Sequence, residues 1–269
     1  MAPGLLRASS RTVAAGFRRT DAADQQPGAS CRLRVPARCA RAARFLRDRR
    51  AVSAIEFALI LPVLLILMLG GTQLVTYVNA SRKVGLVAQS ISQMISQAMP
   101  PAGATVATVN ATDLHFSFDS ALVLFPYLMK DGPRQGLQWW QDIAITYAAV
   151  AFTQTAPNCT GSDLSACYTA AVVWTSSGTS GGNYRPCAAP QLPAADTAAP
   201  SRTTLPRSVF GPGSIIAVDV VFNFRPTFGA RFIPAVRIAR SMYVQPRYAT
   251  LVNFDPAGND GIAVKCPGF

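Results

Sequence analysis

Histidine and glutamate are almost missing from this 269-residue chain, which holds one of each, His115 and Glu56, and only 14% of its residues are charged. A carboxylate pair for acid–base chemistry is correspondingly hard to assemble. Asp142, Asp163, Asp196, Asp219, Asp255 and Asp260 are scattered through the second half. No GxSxG elbow, GxxxxGK[ST] loop, HExxH pair or GxGxxG turn occurs. His115 sits in DLHFSFD beside Asp113 and Asp119, where a serine hydrolase can be imagined, but a lone histidine on an alternating stretch is far more often structural. A single histidine also removes the usual zinc sets, and the seven residues between Cys159 and Cys167 match no usual ligand pair. These absences favour a structural or assembly protein with no cofactor, no metal and no small-molecule substrate. The competing class is a membrane-tethered enzyme or ligand-binding domain using His115 or a pocket in a sheet.

What charge there is lies at one end. Residues 1–50 contain twelve Arg, no Lys and three acids, a net of +9 out of the total +12. A nearly neutral body behind a basic arm argues against nucleic-acid binding, which places positive charge on the folded face. The first 48 residues read as a basic cytoplasmic arm without structure. The stretch MAPGLLRASSRTVAAGFRRT has the Arg- and Ser-rich, acid-free composition of a mitochondrial presequence. A start site assigned upstream of a short basic flank explains the same arm more simply.

From Phe57 to Val78 there are 22 residues without a charge, roughly 33 Å of helix against a bilayer core of about 30 Å. Thr72, Gln73 and Thr76 make its second half less apolar, so the span is expected to start near Ala51, within a transmembrane segment of residues 49–78. Pro62 is tolerated in a membrane helix as a kink. Arg38, Arg41, Arg44, Arg47, Arg49 and Arg50 precede the span, whereas only Arg82 and Lys83 follow it closely. That asymmetry keeps the amino end in the cytoplasm and places residues beyond about 80 outside. Four of the six cysteines, Cys159, Cys167, Cys187 and Cys266, then fall on the side where disulfides persist. They predict two bridges with three possible pairings, while Cys31 and Cys39 stay reduced.

Beyond the span, Val84, Val87, Ala88, Ile91, Met94, Ile95 and Ala98 recur at helical spacing, which predicts an amphipathic stem over 79–99 that ends at Pro100 and Pro101. The period then shifts toward two. Ile216, Val218, Val220, Phe222 and Phe224 alternate with Ala217, Asp219, Val221 and Asn223 in a strand that Pro226 stops. Further strands are expected over 237–245, Leu114 to Phe118, Ile143 to Phe152 and Tyr168 to Thr175, the third of these being Ala-rich enough for a helix. TSSGTSGGNYRP and CAAPQLPAADTAAPSR read as loops, the latter unlikely to pack. The predicted class is α+β: a long membrane-spanning stem helix followed by an antiparallel-sheet domain over 100–269, outside the cell membrane, with a flexible loop at 176–207.

The segment RDRRAVSAIEFALILPVLLILMLGG resembles the amino-terminal signature of the TadE/TadG-like proteins of Flp pilus assembly: a basic flank, a small residue, Glu followed by an aromatic, and an apolar helix containing Leu-Pro. SRKVGLVAQSISQMISQ resembles the stem of the TadG-like branch, with weaker echoes in LFPYL, VVWTS, FNFRP and YVQPRY. The resemblance implies a pilin-like domain in the periplasm, a single-pass anchor in a bacterial inner membrane, and partners among Tad pilus proteins such as pseudopilins, the inner-membrane platform and the prepilin peptidase. It makes Val52 the first residue after a processing site at Ala51. Glu56, followed by Phe57, is then the fifth residue, which neutralises a neighbouring subunit's new amino terminus within the membrane. The pattern has Gly where Ala51 stands, which tips the expectation toward an uncleaved anchor with Arg49 and Arg50 as counter-charges to Glu56. Arg47, Arg49 and Arg50 set the topology.

Overall fold

The computed structural model describes residues 49–157, 159, 161–176, 185–199 and 201–269. The chain divides into two compact units, Met1–Ile60 and Leu61–Phe269. In the first, the described residues are helical, and residues 53–60 are all exposed. They belong to helix α1 (Arg49–Ser96), 48 residues long, which also opens the second unit.

Two kinds of surface alternate along α1. Its apolar part leaves Leu64, Ile66, Leu67, Leu74 and Val75 exposed, and the hydroxyls of Thr72 and Thr76 donate back to the carbonyls of Leu69 and Thr72 at 2.8 Å each. These polar side chains therefore present no free donor on the apolar surface. Ser53–Ser96 is long and apolar enough to cross a membrane, and its most apolar 18-residue stretch has no residue buried within the structure. From Ala80 the same helix turns one stripe inward: Ala80, Val84, Val87, Ala88, Ile91 and Ile95 are buried, at the spacing of a core-facing face. Met94, expected on that stripe, is half-buried. The end of α1 is capped from across the fold, where the Arg247 amide donates to the Ser96 carbonyl at 2.9 Å.

After α1 come strand β1 (Val106–Val109), helices α2 (Ala111–Leu124), α3 (Leu128–Gln135) and α4 (Trp139–Asp142), then strands β2 (Ile143–Gln154), β3 (Tyr168–Ser176), β4 (Leu192–Ala194), β5 (Thr204–Pro206), β6 (Ser214–Phe224), β7 (Val236–Val244), β8 (Leu251–Phe254) and β9 (Ala263–Lys265). A five-stranded sheet has the order β7-β6-β2-β3-β9, and each of its neighbouring pairs is antiparallel. The pairs β1–β8 and β4–β5 are parallel. The expected α+β class, a long apolar helix followed by an antiparallel-sheet domain, is what the structure has.

Alternation along the central strands assigns the two faces of the sheet. Ile216, Val218, Val220, Phe222 and Phe224 of β6 and Ile143, Ile145, Tyr147 and Ala149 of β2 point toward α1 and α2. Phe125 meets Phe222 edge-on at 5.2 Å and Tyr77 meets Phe224 at 5.6 Å. The register shifts between Ala149 and Val150, which lets consecutive residues of β3, Val173 and Trp174, both enter this core. Trp174 donates its indole N–H to the Val252 carbonyl at 2.9 Å, satisfying the polar atom of the largest buried side chain. The opposite face buries Ala148, Val150, Ala170, Val172 and Ile215 against Leu205, Phe210 and Cys266. Because both faces of β2 are covered, its centre is a continuous buried run, and its alanines fit between two close layers.

Two expectations need correction. Leu114 to Phe118 is helical, within α2, and not a strand. Asn110 and Asp113 form a reciprocal cap, each backbone amide donating to the other's side chain at 3.0 Å. The buried positions Leu114, Ser117, Phe118 and Ala121 keep the 3–4 spacing that a five-residue window hides. The Pro and Ala tract also packs in part: β4 and β5 pair, the Gln191 amide donates to the Ala170 carbonyl at 2.9 Å, and Gln191 is buried. Of TSSGTSGGNYRP, residues 177–184 lie outside the described residues.

Candidate functional site

Of the processing and topology residues singled out by sequence, those the structure describes fall at the start of α1. Arg47 lies outside the described residues, and Arg49, Arg50, Ala51 and Val52 have helical backbone. Glu56 and Phe57 are exposed. A carboxylate on an uncovered apolar helix carries a cost of about 2.5–3.5 kcal/mol at a bilayer centre, which draws it toward an interface or a counter-charge.

Cys159, Cys167, Cys187 and Cys266 form two pairs at disulfide distance. Cys159 and Cys167 have Cα atoms 5.9 Å apart and fasten the connection from β2 to β3. Cys187 and Cys266, 5.2 Å apart, tie the tract that covers the second sheet face to the residue that follows β9. Beside the second pair lies a buried ion pair. Arg185 reaches Asp219 through Nε at 2.9 Å and Nη2 at 3.1 Å, and gives Nη1 to Gln191 Oε1 at 2.6 Å and to the Thr204 carbonyl at 2.9 Å. Ser241 also donates to Asp219. Burial raises the pKa of the neighbouring Tyr243 phenol, partly offset by the Arg185 charge. An open cavity of about 260 Å³ adjoins this pair, lined by Thr146, Arg202, Asp219, Arg237, Arg240 and Ser241. Among the described residues its one carboxylate is Asp219, already engaged by Arg185 and Ser241.

A second polar cluster, which the sequence reading did not single out, joins α3 and α4 to the connection between β6 and β7. Asp131 is fully buried and accepts from Arg134 and, at 2.6 Å, from Gln135 Nε2. The same Gln135 amide donates to Asp142 Oδ1 at 3.2 Å, while Asp142 Oδ2 is buried with no partner. Two carboxyls thus share one amide, and the Arg134 guanidinium pairs with Asp131 alone. Burial, followed by the negative charge of Asp131, lifts the Asp142 pKa to about 7. Arg134 also donates to the Arg225 carbonyl at 2.6 Å and to Thr227 Oγ1 at 2.8 Å, and the Thr227 amide donates to Gln73 Oε1 on α1 at 2.9 Å. A signal was available in KDGPRQ, where Asp131 and Arg134 lie three apart. Nothing in the sequence brings Asp142 or Thr227 to them.

His115 sits on α2 and meets Asp260 at 2.7 Å, with both side chains about half exposed. The His115 contact is the main cause of a lowered Asp260 pKa. Among the described residues no hydroxyl or thiol hydrogen-bonds to the ring of His115, and none contributes to a group of three or more His, Cys, Asp or Glu able to hold a metal.

The similarity to known proteins falls within α1. Residues 51–91 match the family model described as TadE-like protein. Over this segment the chain is similar to TadE-like proteins. No curated protein and no solved structure matches the chain. The TadE-like segment begins at Ala51, includes Glu56 and Phe57, and ends at Ile91, which is fully buried in the sheet domain. It therefore comprises the whole exposed apolar run together with the first three turns of helix that build the core.

Proposed function

We propose that this chain is a single-pass, inner-membrane component of a Flp/Tad pilus assembly machine, of the TadG-like branch, that works by helix packing and protein contacts and not by catalysis. The observation that carries the reading is the coincidence of the TadE-like segment, residues 51–91, with a helix that is apolar and exposed in its first part and core-forming in its second. The arginines before the span support a cytoplasmic amino end and a periplasmic sheet domain. Two cysteine pairs at disulfide distance support an oxidising compartment for that domain. Ala51, standing where the family pattern has Gly, supports retention as an uncleaved anchor, with Glu56 near the interface and Arg49 and Arg50 as its counter-charges. Pseudopilins and the inner-membrane platform are the fitting partners.

Deleting the gene is expected to remove or reduce surface pili, with restoration by the full chain; normal piliation in the deletion strain would overturn the assembly role. Amino-terminal sequencing of the protein from membranes is expected to read from upstream of Ala51. A mature chain beginning at Val52 would instead make it a processed pseudopilin.

A further inference from the structure

The connection between β6 and β7 reads RPTFGARFIPA, and every residue from Thr227 to Arg237 is exposed. Three are large and apolar: Phe232 at 88%, Phe228 at 52% and Ile233 at 48% exposure. A turn fixes the connection, because the amides of Phe232 and Ile233 both donate to the Gly229 carbonyl at 2.8 and 2.9 Å. Gly229 has φ +78°, a conformation that favours glycine. Its base is held by the Arg134 guanidinium, which the buried Asp131 carboxylate orients.

The position of this turn along α1 decides what it faces. Thr227 bonds to Gln73, which lies within the uncharged run and five residues short of its last member, Val78, about 7.5 Å along the axis. The base of the turn therefore lies beside the last part of the apolar run, which, with α1 across a bilayer, is the depth where acyl chains give way to headgroups. Its composition suits that depth. Phenylalanines favour the acyl boundary, and Arg225 and Arg231 among them complement headgroup phosphates.

We propose that the 225–235 connection is a second membrane contact, inserting Phe228, Phe232 and Ile233 into the leaflet in which the apolar run of α1 ends, with Arg225 and Arg231 on the lipid phosphates. The inference rests on α1 crossing the bilayer. A membrane is the occupant that the geometry favours, because the turn is fixed to the spanning helix itself.

The test uses the full chain reconstituted in vesicles of phosphatidylethanolamine and phosphatidylglycerol, with one environment-sensitive fluorescent amino acid at position 66, 232 or 99 and lipids brominated in the acyl chain as quenchers. Ile66 is exposed in the apolar part of α1, and Met99 is exposed just past its far end. Strong quenching at 66, at least twofold quenching at 232 and none at 99 is the expected pattern. If 66 is quenched while 232 behaves like 99, the loop proposal is wrong and the anchor stands. If 66 is not quenched, both fail. In cells, a photocross-linker at 232 is expected to capture phospholipid, and capture of a protein alone would assign the surface to a protein partner and overturn the lipid contact.

Discussion

Stability of the sheet domain should fall as pH rises from about 4 to about 7, because of one carboxyl. Asp142 is 4% exposed, shares Gln135 with Asp131, and has an oxygen without a partner. Protonating it leaves Asp131 and Arg134 as a balanced pair, whereas ionising it places a second negative charge beside one cation. Its pKa of about 7, against 3.8 in the unfolded chain, means that the folded state holds the proton more tightly. The contribution is therefore complete below about pH 4 and is lost as pH rises through 7. At about 1.36 kcal/mol per unit, roughly three units give an upper bound of about 4 kcal/mol, and about 2 kcal/mol if relaxation of the pocket halves it.

The carboxyls shifted the other way do not interfere. Asp163, held below the ordinary range chiefly by hydrogen bonds from Ser165, and Asp260, held there chiefly by His115, give up their contributions only as pH falls below about 4. Thermal unfolding of the full chain in detergent, followed by circular dichroism between pH 4.5 and 8, is the assay. The natural protein is expected to lose about 5–15 °C across that range. Asp142→Asn, which keeps the size and supplies N–H donors toward Asp131, is expected to abolish most of the loss. A variant with the natural slope, or a natural protein that gains stability over the same interval, would refute the reasoning.

Arg185→Leu is expected to destabilise the domain by about 3–5 kcal/mol in chemical denaturation, because Asp219 is left buried without its cation; Asp219→Leu in the same chain should restore much of that loss. Removing the Cys187–Cys266 bridge with serines should cost about 4.5 kcal/mol and removing Cys159–Cys167 about 2.5 kcal/mol, following loop separations of 79 and 8 residues. Equal midpoints for the two variants would contradict the loop-closure account. Trp174→Phe leaves the Val252 carbonyl without its indole donor and is expected to cost about 1–3 kcal/mol, read as a lower unfolding midpoint with unchanged secondary structure.

The parts of the fold legible in the sequence are those whose pattern is long. β6 shows its alternation over eleven residues and α1 its two surfaces over forty-eight, so both read directly from periodicity. DLHFSFD failed because five residues of alternation also satisfy a helical face, and the deciding fact, the reciprocal cap from Asn110 to Asp113, sits just outside that window. The tract from Cys187 to Arg202 failed for another reason: its order comes from partners distant in sequence, Cys266 and Ala170, which a local reading does not contain. The same holds for the site. The TadE-like start of α1 is contiguous and was visible. Arg134, Asp142, Thr227 and Gln73 are brought together only by folding.

The placement of those distant residues bears on how such an anchor can act. Val78 is still exposed and Ala80 is already buried, so only one residue separates the apolar surface of α1 from the protein core. Swinging the domain away on a loose stalk would require unburying Val84, Val87, Ala88, Ile91 and Ile95. At about 1.5–3 kcal/mol for each large side chain, that cost is comparable with the whole stability of a domain of this size. The Thr227–Gln73 bond and the Tyr77–Phe224 contact extend the attachment toward the apolar run. A force or rotation applied to this part of α1 is therefore delivered directly to β6 and the sheet, and the domain's orientation on its helix is fixed by packing. Under the proposed role, in which the domain presents a surface to assembly partners, that rigidity supplies what a flexible tether would lose: a defined height and face relative to the apolar part of its helix.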